Sequence, residues 1–278
     1  RQMCIRDRKN MTTEEIIQTT RNLISEHFSD ITFIEEGHKY FIGTEEYTPV
    51  SNIIENFVRP FDKHTISERY AKKNGRTQED VLREWKYKNV KSVTQGTKYH
   101  EFGEAMTWIK CGYPELIPTN IRRQYIPEEG WLIPFAPKEE SILKFYSELP
   151  PSIIPVGAEF RMSSKYIPEI NTKFCGTTDL LFYYDSPDNP GFIIGDWKTN
   201  EELTKDYQRS KGITMYPPFD NLIDEPLGHY TLQFSMYQLM LESIGLKILG
   251  RRLIWLKGDG TYETIKIDNV SDKLLKIL

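Results

Sequence analysis

FCGTTDLLFYYDSPDNPGFIIGDWKTN, residues 174–200, holds two apolar runs separated by the turn signal SPDNPG at 186–191. Leu180, Leu181, Phe182, Ile193 and Ile194 mark the runs as strands of a core sheet. Asp179, Asp196 and Lys198 are embedded in them. Charge inside a sheet is costly unless it is paired or binds a metal. A symmetric hairpin centred between Pro187 and Asp188 sets Asp179 opposite Asp196, with Cβ atoms roughly 5 Å apart. Lys198 is two residues beyond Asp196 and emerges on the same face, whereas Trp197 points away from it, into the core. Two facing carboxylates repel unless a cation lies between them. Hard oxygen ligands suit Mg²⁺ or Mn²⁺. A lysine beside such an ion can stabilise developing negative charge, or position and deprotonate a water. The structural alternative is a Lys198–Asp196 pair at a strand end, with Asp179 capping a turn.

Outward from this hairpin, 156–162 is strand-like, and RRLIWL (251–256) and TYETIKI (261–267) form two further strands. Residues 230–245 make a helix apolar on nearly every side, hence buried. The stretch 113–155 is rich in proline and predicts loop around one helix near 138–148. Upstream, Ile16, Ile17, Leu23, Ile24 and Phe28 predict an amphipathic helix over 12–28. Short strands follow across 31–50, then a helix over 51–58. Residues 62–92 are polar, charged and helical, broken near Asn74-Gly75, and a helix runs from about Val93 to Lys110. We divide the chain into a helical and β N-terminal elaboration (11–92) and an α/β core (93–278). RQMCIRDRKN (1–10) lacks periodicity and is set aside as a leader of non-native origin.

GTTD (176–179) followed by GDWKT (195–199) resembles the core of the PD-(D/E)xK nucleases, in particular the RecB-like exonuclease branch. Three further matches occur in the family's order. His100 stands in GTKYHEFGE (96–104), Glu159 in VGAEF (156–160), and Gln233 and Tyr237 form a QxxxY in LQFSMYQ (232–238). The resemblance spans about 96–257. It implies a restriction-endonuclease-like core, a central mixed β-sheet flanked by helices with a helical N-terminal elaboration. It also implies catalytic roles for Lys198, Asp196, Asp179, Glu159, Gln233 and Tyr237, and a metal shell of His100, Asp179 and Asp196. His100 and Glu104 share a helical face, which makes Glu104 a supporting candidate. Glu159 is a metal or water ligand, or a charge at a strand edge. Gln233 and Tyr237 contact DNA or orient the site, or else form a core tyrosine beside a solvated glutamine. His38, His64 and His229 fit no pattern.

The function implied is a Mg²⁺- or Mn²⁺-dependent deoxyribonuclease, foremost an exonuclease in DNA processing, recombination or repair, of the compact stand-alone kind carried by phages. The alternatives are a nuclease-fold DNA-binding protein that does not cut, or a nuclease acting on RNA or branched DNA. The 278 residues include three widely spaced cysteines and no CxxC pair, so an iron–sulfur cluster is not expected. No GxxxxGK[ST] occurs, and a separate helicase or recombination protein is an expected partner besides DNA. No apolar run approaches the roughly 18 residues of a membrane span, and the expected location is the cytoplasm of a bacterial cell or a phage-infected host. The net charge of -4 hides an asymmetry. Eleven basic residues against five acidic ones fall between Arg59 and Lys98, with Phe61, Tyr70, Trp85, Tyr87 and Tyr99 near or among them. The expectation is a basic, DNA-facing segment leading to an acidic, metal-loaded site.

Overall fold

The computed structural model describes residues 11–122, 124–126, 129–131 and 134–278; the expected leader, 1–10, lies outside them. In chain order the elements are α1 (Thr13–Phe28), β1 (Ile31–Ile34), β2 (Lys39–Ile42), β3 (Glu45–Pro49), α2 (Val50–Glu55), α3 (Lys63–Lys73) and α4 (Gln78–Lys110). Then come α5 (Thr119–Arg122), β4 (Tyr125–Ile126), β5 (Gly130–Trp131), α6 (Pro137–Glu148), β6 (Ile153–Ser163), β7 (Phe174–Tyr184) and β8 (Gly191–Lys198). The last are α7 (Asp206–Lys211), α8 (Pro226–Ser243), β9 (Ile248–Leu256), β10 (Tyr262–Lys266) and α9 (Ser271–Leu274).

The fold is α/β, built on a large mixed sheet with helices against it. β7 pairs antiparallel with β6 and β8, β8 runs parallel to β9, and β9 pairs antiparallel with β10. The parallel β8–β9 pair needs a crossover, which α7 and α8 supply. The β1–β2–β3 meander joins through a short parallel contact of Thr48 and Pro49 with Phe174 and Cys175.

Side-chain alternation splits the core in two. Leu180, Phe182 and Trp197 pack with Phe102 and Ala105 of α4 and Ile142 and Phe145 of α6. Leu181, Tyr183, Phe192 and Ile194 pack on the other face with α1, α2 and α8. Asp179 has the parity of Leu181, and Asp196 that of Ile194, so both carboxylates belong to the α8 side. Trp197 faces α4 and α6, as its position next to Asp196 predicts. Its approach depends on Gly103: a Cβ there would lie 2.4 Å from the indole nitrogen.

α4 departs from the sequence reading. It starts fifteen residues before Val93, because Thr77 caps it by accepting from the Asp80 amide at 3.1 Å. Glu79 and Asp80 add negative charge to its first turn, where the helix dipole favours it. The break at Asn74-Gly75 is present, with Gly75 at φ +62 in the left-handed region. The division at 92/93 therefore falls inside a single 33-residue helix. In the proline-rich stretch, α5 and the β4–β5 pair supplement the expected helix, now α6.

Candidate active site

The site lies where β7 and β8 part. Their ladder runs from Tyr184↔Gly191 to Leu180↔Gly195, the register that sets Asp179 against Asp196, and goes no further. At the fork the Asp179 carboxylate stands in for a backbone acceptor and takes the Trp197 N–H at 2.9 Å. That bond holds one Asp179 oxygen beside β8. Thr178 ties the same corner together, its hydroxyl donating to the Leu180 and Gly195 carbonyls at 3.3 and 3.4 Å.

His100 reaches the fork from α4, its Nδ1 3.0 Å from Asp179 Oδ2. One ligand atom each from His100, Asp179 and Asp196 lies within 4.8 Å of the other two. Lys198 Nζ sits 2.7 Å from Asp196 Oδ1 and 4.5 Å from the centre of the Tyr230 ring. Asp196 is fully buried, yet neither of its carboxylate oxygens accepts a well-aligned hydrogen bond among the described residues. Such a group is expensive unless a cation compensates it. The lysine supplies one charge. The remaining acceptor capacity, shared with Asp179 and an imidazole, matches the donor set of a divalent ion bound by oxygen and nitrogen.

The electrostatics follow from this crowding. Burial and then the Asp179 carboxylate push Asp196 up to about 8. Burial would also raise Asp179, but the His100 imidazolium and the Lys198 ammonium outweigh it and hold that carboxyl below the usual range. Burial depresses and Asp196 elevates Lys198, with a net rise, so the amine stays charged. His100 is raised in the same way, Asp179 overcoming the cost of burial.

Around the cluster opens a cleft of about 600 Å³ that also presents Glu104, Glu159, Arg161, Gln233 and Tyr237. Of the site residues expected from the sequence, His100, Glu104, Glu159, Asp179, Lys198, Gln233 and Tyr237 line this cleft, and Asp196, fully buried, lies next to Lys198, Asp179 and His100. Glu159 stands outside the three-residue cluster but on the same cleft. It sits between the pairs Ala158↔Leu180 and Phe160↔Thr178, in register with Asp179, with φ +54. A left-handed glutamate inside a strand is strained by on the order of 1–3 kcal/mol, a feature that concentrates at functional sites. Desolvation by the cleft walls, then the Asp179, Glu104 and Asp196 carboxylates, raise Glu159 well above the carboxylate range. The side chain itself is exposed at the cleft, and water tempers that shift.

Gln233 donates to the Tyr237 hydroxyl at 2.7 Å, one turn apart on α8. Tyr237 is a core residue as well as a cleft residue, its ring buried against β7. Gly176 makes that possible, since a Cβ there would lie 2.6 Å from the tyrosine ring. Asn200 is engaged by Tyr230, whose hydroxyl donates to its Oδ1 at 2.8 Å, and its carbonyl accepts from Trp255 at 2.7 Å.

Sequence reasoning missed Tyr230, Arg161 and His38. Tyr230 lies three residues before Gln233 and seven before Tyr237, one helical stripe that spacing alone could have shown. Arg161 follows Glu159 by two and shares its strand face. His38 had no such signal. Its place at the cleft comes from the β1–β2 turn, where it packs on Phe33 and Tyr40 with ring centres 5.0 and 5.4 Å away. His64 does not line the cleft, and His229 pairs instead with Asp224 at 2.7 Å.

No protein-family model matches the chain, and no curated protein matches it significantly. Among the described residues no helix is long and apolar enough to cross a membrane.

Proposed function

We propose that this chain is a Mg²⁺- or Mn²⁺-dependent DNA nuclease of the PD-(D/E)xK kind, acting from DNA ends as an exonuclease. The observation that carries the reading is Asp196: a buried carboxylate whose oxygens accept no well-aligned hydrogen bond among the described residues, beside Asp179, His100 and a charged lysine. His100, Asp179 and Asp196 would hold the ion. A bound divalent cation neutralises phosphate oxygens and lowers the pKa of a coordinated water.

The chain's own groups do the rest. Trp197 N–H fixes Asp179, and Asp196 with the Tyr230 ring fixes Lys198. The amine, kept protonated by Asp196, stabilises negative charge developing on the phosphate rather than serving as a base. Glu159 is the cleft carboxyl outside the cluster, and we assign to it the proton released by the attacking water. Water adds to phosphorus, the bond to the leaving sugar oxygen breaks, and a 5′-phosphate and a 3′-hydroxyl result. Gln233 holds Tyr237, and the pair shapes the α8 wall beside the substrate. The chain has no phosphate-binding motor loop, so a separate helicase or recombination protein would supply unwinding where it is needed. Its setting would be the cytoplasm of a bacterium or of a phage-infected host.

The test is incubation of end-labelled linear and circular DNA with the protein and Mg²⁺, Mn²⁺ or EDTA. Linear DNA should disappear with either metal and persist in EDTA, and circles should survive. Cleavage that persists in EDTA, or in Asp196→Ala, would sink the metal-site reading. Metal-dependent binding without cleavage would turn the chain into a DNA-binding protein of nuclease fold.

A further inference from the structure

We infer that the cavity between α3 and α4 is a base-stacking pocket for single-stranded DNA, set at a distance from the cleft. It measures about 680 Å³, within the range of ligand pockets. Phe61, Leu82 and Trp85 form its apolar wall, and Lys63, Arg83 and Lys86 stand around it, with Glu79 the acidic lining residue. The Phe61 and Trp85 ring centres are 6.0 Å apart, and the Tyr70 ring centre lies 6.2 Å from that of Trp85. Phe61 is 66% exposed, so it contributes little to the core.

The setting argues for a ligand rather than for structure. Residues 86–95 of α4 are exposed without exception, Val93 by 60%, so ten consecutive helical residues have solvent on every side. A helix in a globular protein normally buries an apolar face. Here the α3–α4 hairpin stands off the core as an arm, joined to it through the helix that carries His100.

Charge selects the occupant. Eleven basic against five acidic residues between Arg59 and Lys98 favour a polyanion. Some of the acids are already spent locally: Glu84 pairs with Arg76 at 2.6 Å and Lys88 at 2.7 Å, and Asp80 with Arg83. The aromatic wall then distinguishes the form of that polyanion. A duplex hides its base faces within its own stack, whereas an unpaired strand offers them. Along α4, Trp85 lies fifteen residues from His100, about 22 Å. That is a span of about six nucleotides at duplex spacing. One strand could therefore occupy both the pocket and the cleft.

The choice of nucleic acid rests on the proposed nuclease activity, but binding is measured apart from it. Fluorescence anisotropy of labelled dT12 with the full chain in EDTA, where no cleavage is expected, gives the affinity. Trp85→Ala should weaken it tenfold or more, in line with the worth of one stacked base. Phe61→Ala, which removes a largely exposed ring, should weaken it in the same direction, and Trp85→Phe should recover most of the loss. A backbone of the same length without bases should bind the native chain as weakly as dT12 binds Trp85→Ala. The proposal is overturned if the baseless strand binds like dT12, if a twelve-pair duplex binds as well as dT12 and loses as much on Trp85→Ala, or if neither ring substitution changes affinity. Stacking that survives in a chain with no nuclease activity would remove the proposed function and leave this pocket standing; cleavage without ring-dependent binding would do the reverse.

Discussion

The two halves of α4 share one backbone and live in different surroundings. From Lys86 to Gln95 every residue is exposed; from Phe102 to Met106 the helix buries Phe102, Ala105 and Met106 against the sheet. Between them, His100 points at Asp179. The outer half is held by its N-cap, local ion pairs and contact with α3, the inner half by close packing. Function should therefore respond differently to change in each: chemistry and folding to the inner half and the strands it covers, substrate affinity to the outer half.

The largest effect is expected at the fork. Asp196→Ala and Lys198→Ala should each lower cleavage at least about a hundredfold in an end-labelled DNA assay, the scale seen when a charge-stabilising group is lost. Lys198→Ala should leave DNA affinity nearly intact, because on the proposed reading the basic outer half would supply most of the phosphate contacts. Loss of affinity together with cleavage would recast Lys198 as a binding residue and blur the contrast between the halves.

Next in size come changes to packing under the inner half. Trp197→Ala removes a fully buried ring that packs edge-on against Phe145 and should cost about 3–5 kcal/mol in urea unfolding. Gly103→Ala drives a Cβ into that indole and should cost about 1–3 kcal/mol by overpacking. An alanine tolerated at 103 would mean that the inner half is looser than its burial suggests.

These sites also show what the sequence could disclose. The hairpin centre between Pro187 and Asp188 placed Asp179 opposite Asp196, and the ladder keeps that register. Period-two alternation put Trp197 on the core face. Such inferences hold because strand parity and turn position are local. The course of α4 was less legible. Residues 78–92 are so polar that no apolar periodicity connects them to Val93, and the helix instead rests on the Thr77 cap and charge pairs. Left-handed Glu159 and the cleft position of His38 were not legible at all. They depend on how β6 and the β1–β2 turn meet other strands, and no nearby residues encode that.

A smaller, pH-dependent effect separates the His100, Asp179 and Asp196 cluster from the rest of the inner half. Without metal, the folded chain holds a proton at Asp196 up to about 8, whereas the unfolded carboxyl releases it near its ordinary value of 3.8. The folded state thus binds the extra proton, and its stability falls as pH rises from about 4 to 8. His100, raised by Asp179, adds to the fall at the upper end. Asp179 is lowered and contributes stability that is lost only in stronger acid. On the proposed reading a divalent ion would replace the proton at Asp196 and need a neutral imidazole at His100, so both groups would make it bind better at higher pH. Thermal unfolding with Mn²⁺ against EDTA should show a gain in Tm that grows from pH 5.5 to 8. An equal gain at both ends would remove Asp196 and His100 from the ligand set.

The smallest effect on stability belongs to the outer half. Lys86 and Lys91 are exposed, and their replacement by alanine touches no packed side chain. Each change should move unfolding free energy by no more than about 0.5 kcal/mol. DNA binding should still register them, because a lysine that neutralises a phosphate releases a counterion. The slope of log affinity against log salt should become shallower by about one for each lysine removed. A slope that stays the same while Trp85→Ala weakens binding would mean that the strand enters the pocket by its bases with its phosphates turned away from α4. The outer half would then be an aromatic clamp and not a basic track, and the contrast between the two halves would rest on stacking alone.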